Sequence, residues 1–65
     1  MSDLEEKIHD FVEGSPHPVN INQIFQGLKD AGMDVTRDEV LRAIDNLQTN
    51  GFLYDSGLVS YYALG

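Results

Sequence analysis

The segment from Thr36 to Gly51, TRDEVLRAIDNLQTNG, constrains the fold of this chain more than any other stretch. Thr36 and Glu39 have the spacing of a capping box, in which each side chain binds a backbone N–H at the start of a helix. Asn50-Gly51 predicts the end of that helix. The apolar residues between these signals recur at helical spacing and predict one buried face: Val40, Leu41, Ile44 and Leu47. An amphipathic helix with a polar outer face is therefore expected here.

A first helix is predicted near the start of the chain. Ser2 and Glu5 form a second capping-box pattern. Leu4, Ile8, Phe11 and Val12 give an apolar stripe at helical spacing. The helix is expected from about Asp3 to Glu13 and should end at Gly14. Its outer face is mostly acidic.

The region between these two helices predicts a loop, a short strand and another helix. The two prolines in SPHP, residues 15–18, exclude regular helix, and Val19 is expected to form a short edge strand beside a hairpin. Asn20 should cap the second helix, and Gly32 should end it. Gly27, inside that helix, costs about 1 kcal/mol relative to alanine. It fits either close packing against a neighbouring helix or a tolerated weakness.

A β-hairpin is predicted after Gly51. Residues 52–54 and 58–64 are rich in β-branched and aromatic side chains, and Asp55-Ser56-Gly57 should form the tight turn between them. The chain is thus expected to be a single α+β domain, residues 1–65, with three helices and a short antiparallel hairpin. Its predicted core consists of Leu4, Ile8, Phe11, Ile21, Ile24, Phe25, Leu28, Val40, Leu41, Ile44, Leu47, Leu53, Tyr62 and Leu64.

Charge restricts the class of partner. The 65 residues contain 11 acidic and 4 basic side chains and have a formal charge of −7. This balance opposes binding to a polyanion, because nonspecific affinity for nucleic acid comes mostly from Lys and Arg neutralising phosphates. A halophilic proteome would give the same composition without any bearing on partners. Cysteine is absent, which excludes disulfides and thiolate metal sites.

The sequence gives weaker indications of cellular location and of catalysis than of fold. No apolar run approaches the roughly 18 residues needed to span a bilayer, and the acidic start MSDLEEK is unlike a secretory signal, so a cytoplasmic location is expected. His9 and Glu13 lie one helical turn apart, but spacing places no third metal ligand. No nucleophile motif or phosphate loop is present, and the chain is too small to enclose a water-free site. We expect neither an enzyme nor a bound cofactor or metal.

The order of elements resembles the winged helix-turn-helix superfamily over nearly the whole chain. The residues that carry the resemblance are the helix pattern Val40-Leu41-x-x-Ile44-x-x-Leu47, the stop at Asn50-Gly51, the strand Phe52-Leu53-Tyr54 and the closing Tyr62-Ala63-Leu64. The chain is also similar to the C-terminal winged helix of archaeal replicative helicases and to the D-protein of dissimilatory sulfite reductase. The resemblance implies a regulatory module.

Two functions are compatible with that resemblance. For docking on a protein, the superfamily pattern implies an inward face with Leu53, Tyr62 and Leu64, which leaves an apolar outer surface: Tyr54, Val59 and Tyr61. For duplex DNA, the third helix would enter the major groove with its polar residues: Arg37, Arg42, Asn46, Gln48 and Thr49. That helix also carries Asp38, Glu39 and Asp45, and the predicted turn has no basic residue. Protein docking, by a monomer or a homodimer and away from membranes, is therefore the preferred interpretation.

Overall fold

A computed structural model describes residues 2–55 and the backbone of residues 61–64. The fold is α+β, as expected, with three helices and three short strands. The elements in chain order are α1 (Asp3–Glu13), β1 (Val19–Asn20), α2 (Ile21–Asp30), α3 (Arg37–Thr49), β2 (Leu53–Asp55) and β3 (Tyr61–Leu64). The bounds predicted for the first helix are confirmed.

Each helix begins with a capping box. At α3 the Thr36 N–H donates to Glu39 Oε1 at 2.9 Å, and the Glu39 N–H donates to Thr36 Oγ1 at 3.2 Å. The Ser2 and Glu5 pair does the same at α1, as predicted. Asn20 caps α2 as expected, and its partner in a third box is Gln23. Local side-chain chemistry therefore determines where all three helices start.

Two of the helices end at a glycine in the left-handed region. Gly32 has φ +84° and Gly51 has φ +80°. After Gly51, the Phe52 N–H donates to the carbonyl oxygen of Leu47 at 2.8 Å. This is the bonding of a Schellman motif, which satisfies carbonyls at the helix end. The sequence predicted that Phe52 would open a strand. The structure instead places it at the end of α3, and β2 begins at Leu53.

The strands form one antiparallel sheet in the order β1-β3-β2. Val19 pairs with Tyr62, which confirms the predicted edge strand, and Leu53 pairs with Leu64. Asp55, expected in the tight turn, lies in β2 opposite Tyr62 because the ladder extends that far. The rest of the predicted turn and the start of the second strand, residues 56–60, lie outside the described residues.

The core lies between the three helices and the sheet. Its buried members are Ile8, Val12, Val19, Ile21, Ile24, Leu28, Val40, Ala43, Ile44, Leu47 and Leu53. Leu4, Phe11 and Phe25, also predicted as core, are half-buried and pack against it, together with Met33 and Val35. The predicted inward side chains of Tyr62 and Leu64 are outside the described part of the chain.

Leu41 was wrongly predicted as core, since 41% of its surface is exposed. The buried positions of α3 have the spacing i, i+3, i+4 and i+7, which passes through Ala43 instead of Leu41. Leu41 follows Val40 by about 100° around the helix and falls at the margin of the buried stripe. Ala43 takes its place in the core.

Gly27 is a site of close packing between α1 and α2. A Cβ at this position would lie 2.8 Å from Cδ1 and 2.9 Å from Cζ of the Phe11 ring. Separations under 3.0 Å are essentially never seen for real Cβ atoms. Of the two interpretations of this glycine, close helix packing is therefore the one that the structure supports.

Candidate functional site

The polar face of α3 does not bring the five predicted DNA-contacting residues together. Arg37, at one margin, donates from Nη1 to Asn22 Oδ1 of α2 at 2.6 Å. Asn46, at the opposite margin, donates from Nδ2 to Glu5 Oε2 of α1 at 3.2 Å. Gln48 is half-buried. Two of the five side chains thus already have hydrogen-bond partners in neighbouring helices.

The part of α3 that points furthest from the core is a stripe opposite the buried one. Its members share the spacing i, i+4, i+7 and i+11 and are all exposed: Asp38, Arg42, Asp45 and Thr49. Of the predicted DNA contacts, only Arg42 and Thr49 belong to it. Because the stripe holds two carboxylates and one guanidinium, its formal charge is −1, which opposes close approach to a phosphate backbone.

The carboxylate at the start of α3 is fixed by the helix cap. Hydrogen bonds from the Thr36 backbone, and secondarily from its side chain, hold the pKa of the Glu39 carboxyl below its ordinary value. Glu39 is therefore ionised at neutral pH and adds to the negative charge at this end of the helix.

A second candidate surface lies where α3 meets β2. We call Phe52 and Tyr54, together with His9 of α1, the aromatic surface. Phe52 is 41% exposed and Tyr54 is 51% exposed, whereas Leu53 between them is buried. The Phe52 ring meets the His9 ring edge to face, with centroids 6.1 Å apart and planes at 88°. The contact with His9 orients the Phe52 ring, and Tyr54 adds exposed aromatic area two positions further along the chain.

The structure tests only part of the predicted docking surface. Tyr54 is exposed, as expected for an outward position on β2. Val59 lies outside the described residues, and Tyr61 begins β3, but its side chain is not among those described. Phe52 was not predicted as an interface residue. The available signal was strand alternation, which places Phe52 on the same outward face as Tyr54 when Leu53 points inward.

The described residues were also compared with the requirements of a metal site and of a membrane-spanning helix. Within the described part of the chain, no group of three His, Cys, Asp or Glu side chains is arranged to hold a metal ion. None of the described helices combines the length and the apolar composition needed to cross a lipid bilayer.

No protein-family model, no curated protein and no solved structure matches this chain at a significant level. The features that bear on function are those of the molecule itself. They are its net charge, the acidic outer stripe of α3 and the exposed aromatic surface.

Proposed function

We propose that this chain is a winged helix-turn-helix module that acts without catalysis, by docking on another protein. The order of its elements supports the fold assignment, because a short strand lies between α1 and α2 and antiparallel strands follow α3. Among the residues that carry the resemblance, Val40, Ile44 and Leu47 are buried, and Gly51 ends the helix, which also supports it. Leu41 and Phe52, which carry it too, depart from the pattern, since Leu41 is exposed and Phe52 precedes β2.

The observation that carries the docking proposal is the aromatic surface. Two of the three large apolar side chains that are exposed in the described residues, Phe52 and Tyr54, lie two positions apart. Aromatic residues are enriched at the energetic centres of protein interfaces, where they supply large contact area at low entropic cost. Folding alone does not require these rings in solvent, so a protein partner provides a reason for their exposure.

The negative charge on α1 favours a partner whose binding surface is basic. The exposed side chains of α1 include four carboxylates, on Asp3, Glu6, Asp10 and Glu13, against the single ammonium of Lys7. A negative field beside an apolar patch accelerates encounter with a positive surface and disfavours acidic partners. Subunits that handle nucleic acid carry such positive surfaces, which fits an accessory subunit or the appended domain of a machine such as a replicative helicase.

Co-purification with quantitative recovery of the partner tests this proposal. We expect Tyr54→Ala and Phe52→Ala each to reduce recovery by an order of magnitude or more, since truncating a central aromatic residue costs about 2 kcal/mol or more. Tyr61→Ala and Val59→Ala extend the test to the rest of the predicted surface. Leu41→Ala is the matched control, because it removes an equally exposed apolar side chain from a different face. Undiminished recovery with folded Tyr54→Ala and Phe52→Ala proteins would exclude this surface.

The second candidate function is DNA binding through α3. It is favoured by the exposure of Arg42 and Thr49 on the outer stripe and of Arg37 at the margin of the polar face. This function predicts affinity that falls steeply with salt and is reduced by Arg42→Ala. Lys7→Ala, which removes a positive charge from α1, is the control. A flat anisotropy titration at low salt, on random duplex and on the upstream region of the protein's own gene, would eliminate it.

A further inference from the structure

An open groove lies on the flank of α1 opposite the aromatic surface. It occupies about 580 Å³ between the end of α1, the SPHP segment and α2. Its apolar lining comes from Phe11, Pro16, Pro18, Val19 and Gly27, and polar side chains from the SPHP segment and α2 complete it. Binding sites for small molecules and peptides have volumes of this order and a similarly apolar lining with a few polar groups.

Close packing and hydrogen bonds hold the lining of the groove together. The Phe11 ring packs directly on Gly27, with no room for a Cβ between them. The Ser15 hydroxyl donates to the Phe11 carbonyl at 2.9 Å, and the Ser15 N–H donates to the Val12 carbonyl at 3.2 Å. The φ angles of both prolines are fixed by their rings. A preformed groove of this kind loses little conformational entropy when a ligand binds.

One wall carries a row of amide side chains that have donors and acceptors left over after their hydrogen bonds to other described residues. Asn22 and Gln26, with Asp30, lie at i, i+4 and i+8 along α2 and line the groove. Gln26 uses Nε2 to donate to Asp30 Oδ1 at 2.9 Å, which leaves its Oε1 available as an acceptor. Asn22 uses Oδ1 to accept from Arg37, which leaves its Nδ2 as a donor. A peptide backbone offers the complementary alternation of N–H and C=O groups.

The charge of the groove selects a cation. Among the described residues that line the groove, Asp30 is the one carboxylate, none is Lys or Arg, and His17 is the one other titratable side chain. Lys29 is next to Asp30 in sequence but does not line the groove, and its Nζ lies 5.0 Å from the centroid of the Phe25 ring. Asp30 is also the last residue of α2, where the helix dipole adds to the attraction for positive charge.

We propose that this groove binds an extended peptide segment of a partner protein, with an apolar side chain over Phe11 and a Lys or Arg side chain at Asp30. Gly27 and Asp30 are three residues apart, which is about 4.5 Å along the helix axis. An extended chain advances about 3.3 Å per residue. The apolar and basic residues of the peptide are therefore one to three positions apart.

This site is separate from the aromatic surface. His9 and Phe11 are two positions apart in α1, about 200° around the helix, so they serve opposite flanks. Tyr54→Ala should leave peptide binding in the groove unchanged. The groove would retain its occupant even if the aromatic surface proved to have none, so the two proposals fail independently.

Amide chemical shifts of the full chain test the groove. The probes are acetylated and amidated hexapeptides, each with one Leu or Phe and one Lys or Arg one to three positions apart, in an otherwise Ala, Ser and Pro background. They are titrated singly to about 1 mM, the weak end of specific binding. We expect at least one peptide to shift the backbone amides of Gln26 and Gly27 and the side-chain amide of Asn22. Glu in place of the basic residue should reduce those shifts strongly, because the attraction to Asp30 is replaced by a repulsion of similar size.

Two isosteric variants isolate the role of Asp30. Asp30→Asn should weaken binding about two- to fivefold, the range for one exposed ion pair. Asp34→Asn removes the same charge from an exposed residue outside the groove lining and should have no effect. The same spectra report whether each variant is folded. The proposal is overturned if no basic peptide shifts the groove amides, if the Glu peptides shift them equally, or if both variants weaken binding to the same extent.

Discussion

Replacing Gly27 with alanine puts two effects of opposite sign at one position. In an exposed helix interior, the change from glycine to alanine stabilises the fold by about 1 kcal/mol. Here the new Cβ would lie within 3 Å of the Phe11 ring, which must move toward the groove and lose packing. Overpacking of this kind costs about 1–3 kcal/mol. We therefore expect Gly27→Ala to destabilise the protein by about 1 kcal/mol.

A double-mutant cycle separates the two effects. In a Phe11→Ala background the obstructing ring is gone, so the same Gly27→Ala change should stabilise the fold by about 1 kcal/mol. The coupling free energy is then about 2 kcal/mol, within the usual range for residues in contact. Urea unfolding followed by circular dichroism measures it. All four proteins are compared in one buffer containing TMAO, because the osmolyte keeps the weakest variant folded.

The sign of the Gly27→Ala effect in the two backgrounds decides the outcome. If alanine stabilises the protein equally with and without the Phe11 ring, then Gly27 does not accommodate that ring, and the account of α1 packing on α2 is wrong. Gly14→Ala is the control. Gly14 has φ −77°, and the nearest atom to an added Cβ is the Asp10 carbonyl oxygen at 3.4 Å. Alanine should therefore be tolerated there or stabilise by a few tenths of a kcal/mol.

Three further predictions concern the ends and faces of the helices. Thr36→Ala should destabilise the fold by about 1 kcal/mol at pH 7. Because hydrogen bonds from Thr36 lower the pKa of Glu39 in the folded state, the stabilisation from its carboxylate is fully present above the unfolded pKa and is lost as pH falls through the folded pKa, so the free energy of unfolding should decline in acid. Leu41→Ala should cost under 1 kcal/mol in urea unfolding, whereas Ile44→Ala, 1% exposed, should cost about 2–5 kcal/mol. Gly32→Ala should cost about 1 kcal/mol by the same assay, since φ is +84°.

The parts of the fold that the sequence predicts well are those determined within a few residues. Thr36 with Glu39, and Ser2 with Glu5, are read directly because each capping box is made by residues three positions apart. The glycines that follow α2 and α3 are equally local signals, because φ is positive at both and glycine adopts such angles without strain. Residue patterns therefore predict the helix boundaries to within a position or two.

The features that depend on which helices meet are harder to predict. Leu41 was expected in the core and Ala43 was not, because both lie at margins of the predicted apolar stripe of α3 and the neighbours of that helix determine which margin is buried. Gly27 leaves two interpretations open for the same reason, as its constraint comes from Phe11 in another helix. The hydrogen bond from Arg37 to Asn22 also joins residues of different helices, so helical periodicity gives no indication that this guanidinium already has a partner.

The positions of the four Lys and Arg residues limit how steeply the affinity of this chain for DNA can depend on salt concentration. Arg37 and Arg42 are on α3, whereas Lys7 is on α1 and Lys29 is on α2. Each phosphate contact contributes about −0.9 to the slope of log K against log salt concentration. Binding through α3 alone therefore predicts a slope no steeper than about −2, and engagement of every cation in the chain no steeper than about −4. An anisotropy series at several salt concentrations measures this slope. A slope steeper than about −4 would require more than one copy of the chain on the DNA and would contradict the docking proposal in its monomeric form.

The aromatic surface predicts a different salt dependence. Binding to a protein partner should weaken only slightly as salt concentration rises and should be lost on Tyr54→Ala.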